Sequence, residues 1–234
     1  MTKSLNIVVT GASSGIGFQT SLKLAGMGHT VYALARREDK LKELVRQNQG
    51  TGEIIAVPID LASFSKTQLD QVFGNIKTID RLVNNAGKLL NKPFLTITEE
   101  EIDSVLNLNY TSVIKLIQYF HPKLVTSNSP HIVNIGSVGG VTGSVKFPGL
   151  SVYSSSKGAL SILSECLSVD FLGDGIIVNC LALGSVNTEM LKEAFPDFVS
   201  PTSSEDISRY ISHFVLEGNS VVNGVTQVIS VSNP

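Results

Sequence analysis

Short apolar runs rich in β-branched residues alternate along this chain with longer segments whose apolar positions recur at helical spacing. Strands are expected over residues 6–10, 30–34, 54–58, 81–84, 132–135, 176–181 and 226–231. Most of these runs are apolar on both faces, as parallel strands covered by helices above and below must be. Helices are expected near 15–27, 38–48, 65–75, 99–126, 152–172, 188–194 and 203–217. The alternation predicts an α/β fold, a doubly wound parallel sheet of about seven strands whose right-handed crossovers put helices on both faces. Thr98 with Glu101 reads as a capping box opening the fourth helix, and Ser203 with Asp206 as the cap of the last. In that last helix Ile207, Tyr210, Ile211, Phe214 and Val215 form one apolar face.

Composition adds bounds. With 234 residues, 42% hydrophobic and 16% charged, the chain can bury a large core as one domain over 1–234. The balance of 18 Lys+Arg against 20 Asp+Glu leaves a net charge of −2, which removes the electrostatic case for a nucleic-acid or anionic-membrane partner. No apolar run approaches the roughly twenty residues of a membrane span. The N-terminus leads into the first strand without an apolar signal core, so a cytoplasmic protein is expected. Cys166 and Cys180 lie in apolar surroundings without a CxxC pair, which predicts buried thiols rather than a disulfide. His29, His121, His131 and His213 are scattered without ligand spacing, so no metal site is expected.

Candidate chemistry begins at Thr10-Gly11-Ala12-Ser13-Ser14-Gly15-Ile16-Gly17, between the first strand and the first helix. Gly11 allows a tight exit from the strand. Gly15, lacking a Cβ, lets a pyrophosphate approach the helix N-terminus, where free N–H groups and the dipole favour anions. Gly17 lets the helix pack closely on the sheet. The spacing is G-x-x-x-G-x-G rather than G-x-G-x-x-G; a plain tight turn could use the same glycines, but the strand–helix context favours a dinucleotide. At the end of the second strand an acidic residue would bond the adenosine ribose and repel a 2′-phosphate. Arg36 and Arg37 stand there instead, which points to NADPH/NADP over NADH, with Arg36 the main contact and Arg37 its support. Further on, Tyr153 and Lys157 lie one helical turn apart on the same face. An ammonium beside a phenol lowers the phenol's pKa and makes it a usable general acid/base.

These segments, with Asp60-Leu61, Asn84-Asn85-Ala86-Gly87, Asn109, Ser137 and Gly184–Thr188, resemble the short-chain dehydrogenase/reductase family from the first strand to the last helix. The resemblance implies a single-domain Rossmann-like fold. It implies Tyr153 as general acid/base, Lys157 as holder of the nicotinamide ribose and depressor of the Tyr153 pKa, and Ser137 as donor to the substrate carbonyl. Asn109 would anchor a water that relays protons through Lys157. Around the cofactor, Ser13, Ser14 and Ile16 would join Gly11 and Gly17, while Asp60 and Leu61 border the adenine. Asn85, Ala86 and Gly87 would line the cleft, and Gly184, Val186 and Thr188 would meet the carboxamide or diphosphate. The substrate would lie over the same sheet, under a loop near 185–201. Pairing of the helices 99–126 and 152–172 across a two-fold axis would give a homodimer or homotetramer.

Three departures stand out. Ser137 precedes Tyr153 by a longer stretch than the family usually shows, which leaves Ser144 and Ser151 as alternative carbonyl donors. Leu183-Gly184 replaces the usual Pro-Gly, and the segment Asn223-Gly224-Val225-Thr226-Gln227-Val228-Ile229-Ser230-Val231 lacks the usual Asp-Gly-Gly. The reading is NADPH-dependent reduction of a small ketone or aldehyde, with an NAD(H)-linked alcohol dehydrogenase as runner-up. A non-catalytic dinucleotide-binding regulatory or scaffold protein is the alternative of another class; it would need a broken catalytic set, whereas Asn109, Ser137, Tyr153 and Lys157 are all present. Met190, Leu191, Phe195, Phe198, Val145 and Phe147 suggest an apolar or aromatic substrate.

Overall fold

The computed structural model describes residues 4–231; the start of the chain, 1–3, lies outside them. Its strands are β1 (Asn6–Thr10), β2 (Thr30–Ala35), β3 (Glu53–Pro58), β4 (Arg81–Asn84), β5 (His131–Ser137), β6 (Ile177–Leu183) and β7 (Thr226–Ile229). They form one seven-stranded sheet in the order β3-β2-β1-β4-β5-β6-β7, with every pairing parallel. The helices are α1 (Gly15–Gly26), α2 (Glu38–Gln47), α3 (Lys66–Phe73), α4 (Glu99–Leu106), α5 (Ser112–Leu124), α6 (Ser151–Asp170), α7 (Glu189–Ala194) and α8 (Ser204–Glu217). Winding reverses between β1 and β4, and a crevice for ligands opens beyond the carboxyl ends of strands at such a point.

Period-two alternation divides the core into two layers. Ile7 and Val9 of β1 join Leu24 of α1, Leu41 and Leu44 of α2, and Ile207 and Ile211 of α8. Val8 points the other way, into Leu69 and Phe73 of α3, Leu116 and Phe120 of α5, and Leu160 of α6. The Thr98–Glu101 capping box forms, and Ser203 Oγ accepts from the Asp206 N–H. A second box, Ser65 with Gln68, opens α3.

The long helix expected over 99–126 is divided. Residues Asn107–Thr111 form a wide π turn between α4 and α5, and such turns gather at functional positions. Cys166 is exposed, contrary to the expectation of two buried thiols, whereas Cys180 is buried. Leu160, Leu163, Leu167 and Phe171 carry the inward face of α6. Cys166 lies on the opposite side with Ile162 and Val169, at i, i+4 and i+7. No described helix is long and apolar enough to cross a membrane.

Candidate active site

The crevice is floored by the loop after β1. Thr10 Oγ1 accepts from the backbone N–H groups of Asn85 and Ala86, 2.9 Å each, and donates to Val83 O. That hydroxyl, assigned no role by sequence spacing, pins the turn after β4 to the turn after β1. Asn85 Nδ2 closes the contact by donating to Thr10 O at 2.9 Å. Gly11 has φ +68°, and a Cβ on Gly17 would lie 2.4 Å from Gly11 O and 2.5 Å from Asn85 Nδ2. Gly17→Ala is therefore expected to destabilise the fold by about 1–3 kcal/mol, the ordinary cost of overpacking, read as a lower denaturant midpoint. Ser14, the N-cap of α1, makes no side-chain cap bond, in contrast to the caps of α3, α4, α7 and α8. The first N–H groups of α1 are thus left free of a capping oxygen, which suits an anion.

At the outer end of the crevice, Arg37 Nε donates to Ser13 Oγ at 3.3 Å, and its NH1 lies 3.4 Å from Glu189 Oε2. Arg36 is exposed beside it. Asp60 Oδ1 accepts from Ala62 N at 3.0 Å, which shapes the turn after β3, and Leu61 is buried behind it.

At the inner end four polar side chains converge. Ser137, the last residue of β5, accepts from Gly139 N at 3.2 Å and stands beside the Tyr153 hydroxyl. The extra residues before Tyr153 do not separate the pair. Gly140 lies so close to α6 that a Cβ there would meet Gly158 N at 2.6 Å, so the surplus loop bulges outward beyond it. Ser144 is turned into its own loop, on Val138 O and Val141 O, and Ser151 is exposed at the start of α6. Ser137 is the serine that meets Tyr153. Lys157 is buried and donates from Nζ to Ile135 O at 2.7 Å; desolvation pulls its pKa down to about 8. The expected depression of the Tyr153 pKa by Lys157 does not appear: burial pushes the phenol up, and the Ser137 hydrogen bond opposes it.

Asn109 sits in the π turn, fully buried. Its Oδ1 accepts from Lys88 N at 2.7 Å, and its Nδ2 donates to Lys88 O and to Ser156 Oγ at 3.0 Å each. Ser156 in turn donates to Tyr153 O at 2.7 Å, a link hidden inside the Tyr-to-Lys spacing. A Cβ on Gly87 would lie 3.3 Å from Asn109 Oδ1 and 3.4 Å from Lys157 Nζ, so only the bare backbone passes comfortably over both. The turn after β4, the π turn and α6 are thereby locked together.

The loop after β6 forms the roof. Gly184 packs on Ser230 beside β7, and Val186 is buried. Thr188 caps α7 through Leu191 N at 3.2 Å, with its methyl carbon 3.2 Å from where a Gly15 Cβ would be. Ser185 and Asn187 on the way out are bonded to Ser200 and Thr202 on the return, and Asn91 Nδ2 holds Ala194 O at 2.8 Å. Lys146 curls onto Val141 O and Ser144, away from any role in the crevice. No group of three His, Cys, Asp or Glu side chains able to hold a metal ion occurs among the described residues.

Residues 5–198 match the family profile of short chain dehydrogenases. A short-chain type dehydrogenase/reductase of Sinorhizobium fredii is 37% identical over 80% of this chain and 72% of its own length. The L-xylulose reductase of Mus musculus is 34% identical over 81% and 75%. Among solved structures, a protein of Beutenbergia cavernae provisionally assigned as an NAD(P)-dependent gluconate 5-dehydrogenase, with NADP bound at low occupancy, is 26% identical. It superposes with a TM-score of 0.88 over 98% of this chain and 96% of the other. The parallel sheet, the glycine turn at its winding reversal and the extent of the match agree: the chain belongs to the short-chain dehydrogenase/reductase family of oxidoreductases.

Proposed function

We propose that this protein reduces the carbonyl group of a small ketone or aldehyde with NADPH. The observation that carries the proposal is the placing of Ser137 at the carboxyl end of β5 beside the Tyr153 hydroxyl, with buried Lys157 and Asn109 next to them. The crevice suits a dinucleotide. Gly15 and Gly17 clear its floor, the uncapped start of α1 offers N–H groups to a diphosphate, and Thr188 faces Gly15 from the roof. When bound, the reduced nicotinamide supplies a hydride for the carbonyl carbon. The protein's part is the oxygen. Burial keeps the Tyr153 phenol protonated at neutral pH, so it can give its proton to the developing alkoxide while the Ser137 hydroxyl donates a second hydrogen bond. Lys157 contributes an ammonium charge and holds the ribose, and Asn109 fixes the backbone beside it.

The cofactor choice is supported by Arg36 and Arg37 at the end of β2 and by NADP in the Beutenbergia structure. Arg36→Ala should lose about tenfold or more in NADPH affinity and little in NADH affinity, the usual worth of a charged hydrogen bond to phosphate. Equal losses for the two cofactors refute the choice. A dimer built on α6 is supported by its outward Ile162 and Val169 and by Leu172 just beyond its end, 59%, 71% and 70% exposed. The activity is tested by screening apolar and aromatic ketones with NADPH and following the loss of its absorbance. Binding of NADPH without turnover of any carbonyl compound would favour the scaffold reading.

A further inference from the structure

We infer that Glu189, the first residue of the roof helix α7, is a cofactor-specificity residue that acts by occupying Arg37, an inference that rests on the NADPH reading. Arg37 has one edge on the glycine turn, through Nε to Ser13 Oγ at 3.3 Å, and its NH1 on Glu189 Oε2 at 3.4 Å. Two neighbouring glutamates are engaged elsewhere: Glu38 pairs with Lys42 at 2.7 Å and Glu43 with Lys40 at 3.0 Å. Glu189 also adds a little to the upward shift of Lys40, which the hydrogen bond from Lys40 to Glu43 chiefly causes, so this roof carboxylate lies within electrostatic reach of Lys40 as well as Arg37.

A 2′-phosphate and the Glu189 carboxylate would compete for the same planar fork, which takes paired oxygens from either. A ribose 2′-hydroxyl carries no charge and has no such need of Arg37. Glu189 therefore costs NADPH affinity and leaves NADH nearly untouched.

The test titrates the wild-type protein, Glu189→Gln, Arg37→Ala and the double variant with NADPH and with NADH, following nicotinamide fluorescence. Side chains 45% and 63% exposed make a weak pair, so Glu189→Gln should raise the NADPH-to-NADH affinity ratio by about fivefold at low salt, and less as salt screens the charges. In the Arg37→Ala background the same substitution should leave the ratio nearly unchanged. An unchanged ratio in Glu189→Gln, or an equal rise with and without Arg37, overturns the role. The wild-type ratio judges the cofactor reading separately: preference for NADH refutes that reading, while the change in ratio still decides the role of Glu189.

Discussion

Tyr153→Phe is expected to lower turnover by about 10²–10⁴-fold, the usual contribution of a positioned proton donor, while NADPH binding is retained. The ring keeps its shape and only the hydroxyl is lost, so the deficit reports the proton. Ser137→Ala should cost less, because it removes one of two donors to the oxygen and leaves the proton in place. A pH profile separates the partners. The Tyr153 phenol, pushed up by burial, stays protonated through neutral pH. Lys157, pulled down to about 8, is an ammonium below that pH and loses its charge above it. Carbonyl reduction should therefore be level near neutrality and fall as pH rises past about 8. A Tyr153→Phe enzyme with full kcat would end the mechanism. So would a wild-type rate that keeps rising through that range.

What the chain's spacing reveals is what depends on period and order. Parallel strands buried on both faces leave apolar runs that cannot be missed, and Thr98–Glu101 and Ser203–Asp206 cap helices where their residue types say they must. The π turn at Asn109 is invisible for the same reason. Val105, Leu108, Val113, Leu116 and Phe120 follow one another at steps of 3, 5, 3 and 4, and a single step of five is too slight a break in the helical rhythm to mark the added residue. What widens the turn is a polar claim on Asn109 by Lys88 and Ser156, from segments distant in sequence. Cys166 misled because Ile162 and Val169 give the outer face of α6 the apolar character of its inner one. The Arg37–Glu189 pair joins residues 152 positions apart, which no local pattern encodes. Ser137 could be chosen over Ser144 only once the Gly140–α6 contact showed where the longer loop bulges.

Mild acid should destabilise the protein through His131, which opens β5 and is fully buried. Its Nδ1 lies 3.2 Å from Val215 O, and its Nε2 lies 3.1 Å from Asn179 Nδ2. The Asn179 amide cannot turn round, because its Nδ2 also donates to Val222 O and its Oδ1 accepts from Val225 N. Nε2 must therefore accept, and the ring is neutral with its proton on Nδ1, donated to Val215 O. A second proton would face an N–H group, with the Arg81 guanidinium close by on Val215 O and Leu216 O. Burial chiefly, opposed by the Val215 hydrogen bond and reinforced by Arg81, pulls the pKa down from 6.5 to about 3. The unfolded chain takes up the proton first. This stability is therefore complete above pH 6.5 and drains away as pH falls toward about 3, by on the order of 5 kcal/mol in all. That is a large part of the roughly 5–15 kcal/mol of a whole domain. His29, lowered mainly by burial and accepting from Leu5 N, works in the same direction. Glu101 and Asp206, held below the usual carboxylate range by Lys92 and Ser203, matter only at lower pH. Urea unfolding between about pH 7 and 5 should show stability falling with decreasing pH, and His131→Gln, which cannot titrate, should flatten the slope. Equal stability at both ends of that range would mean that the His131 ring accepts its proton in place, against the hydrogen bonds that hold it neutral.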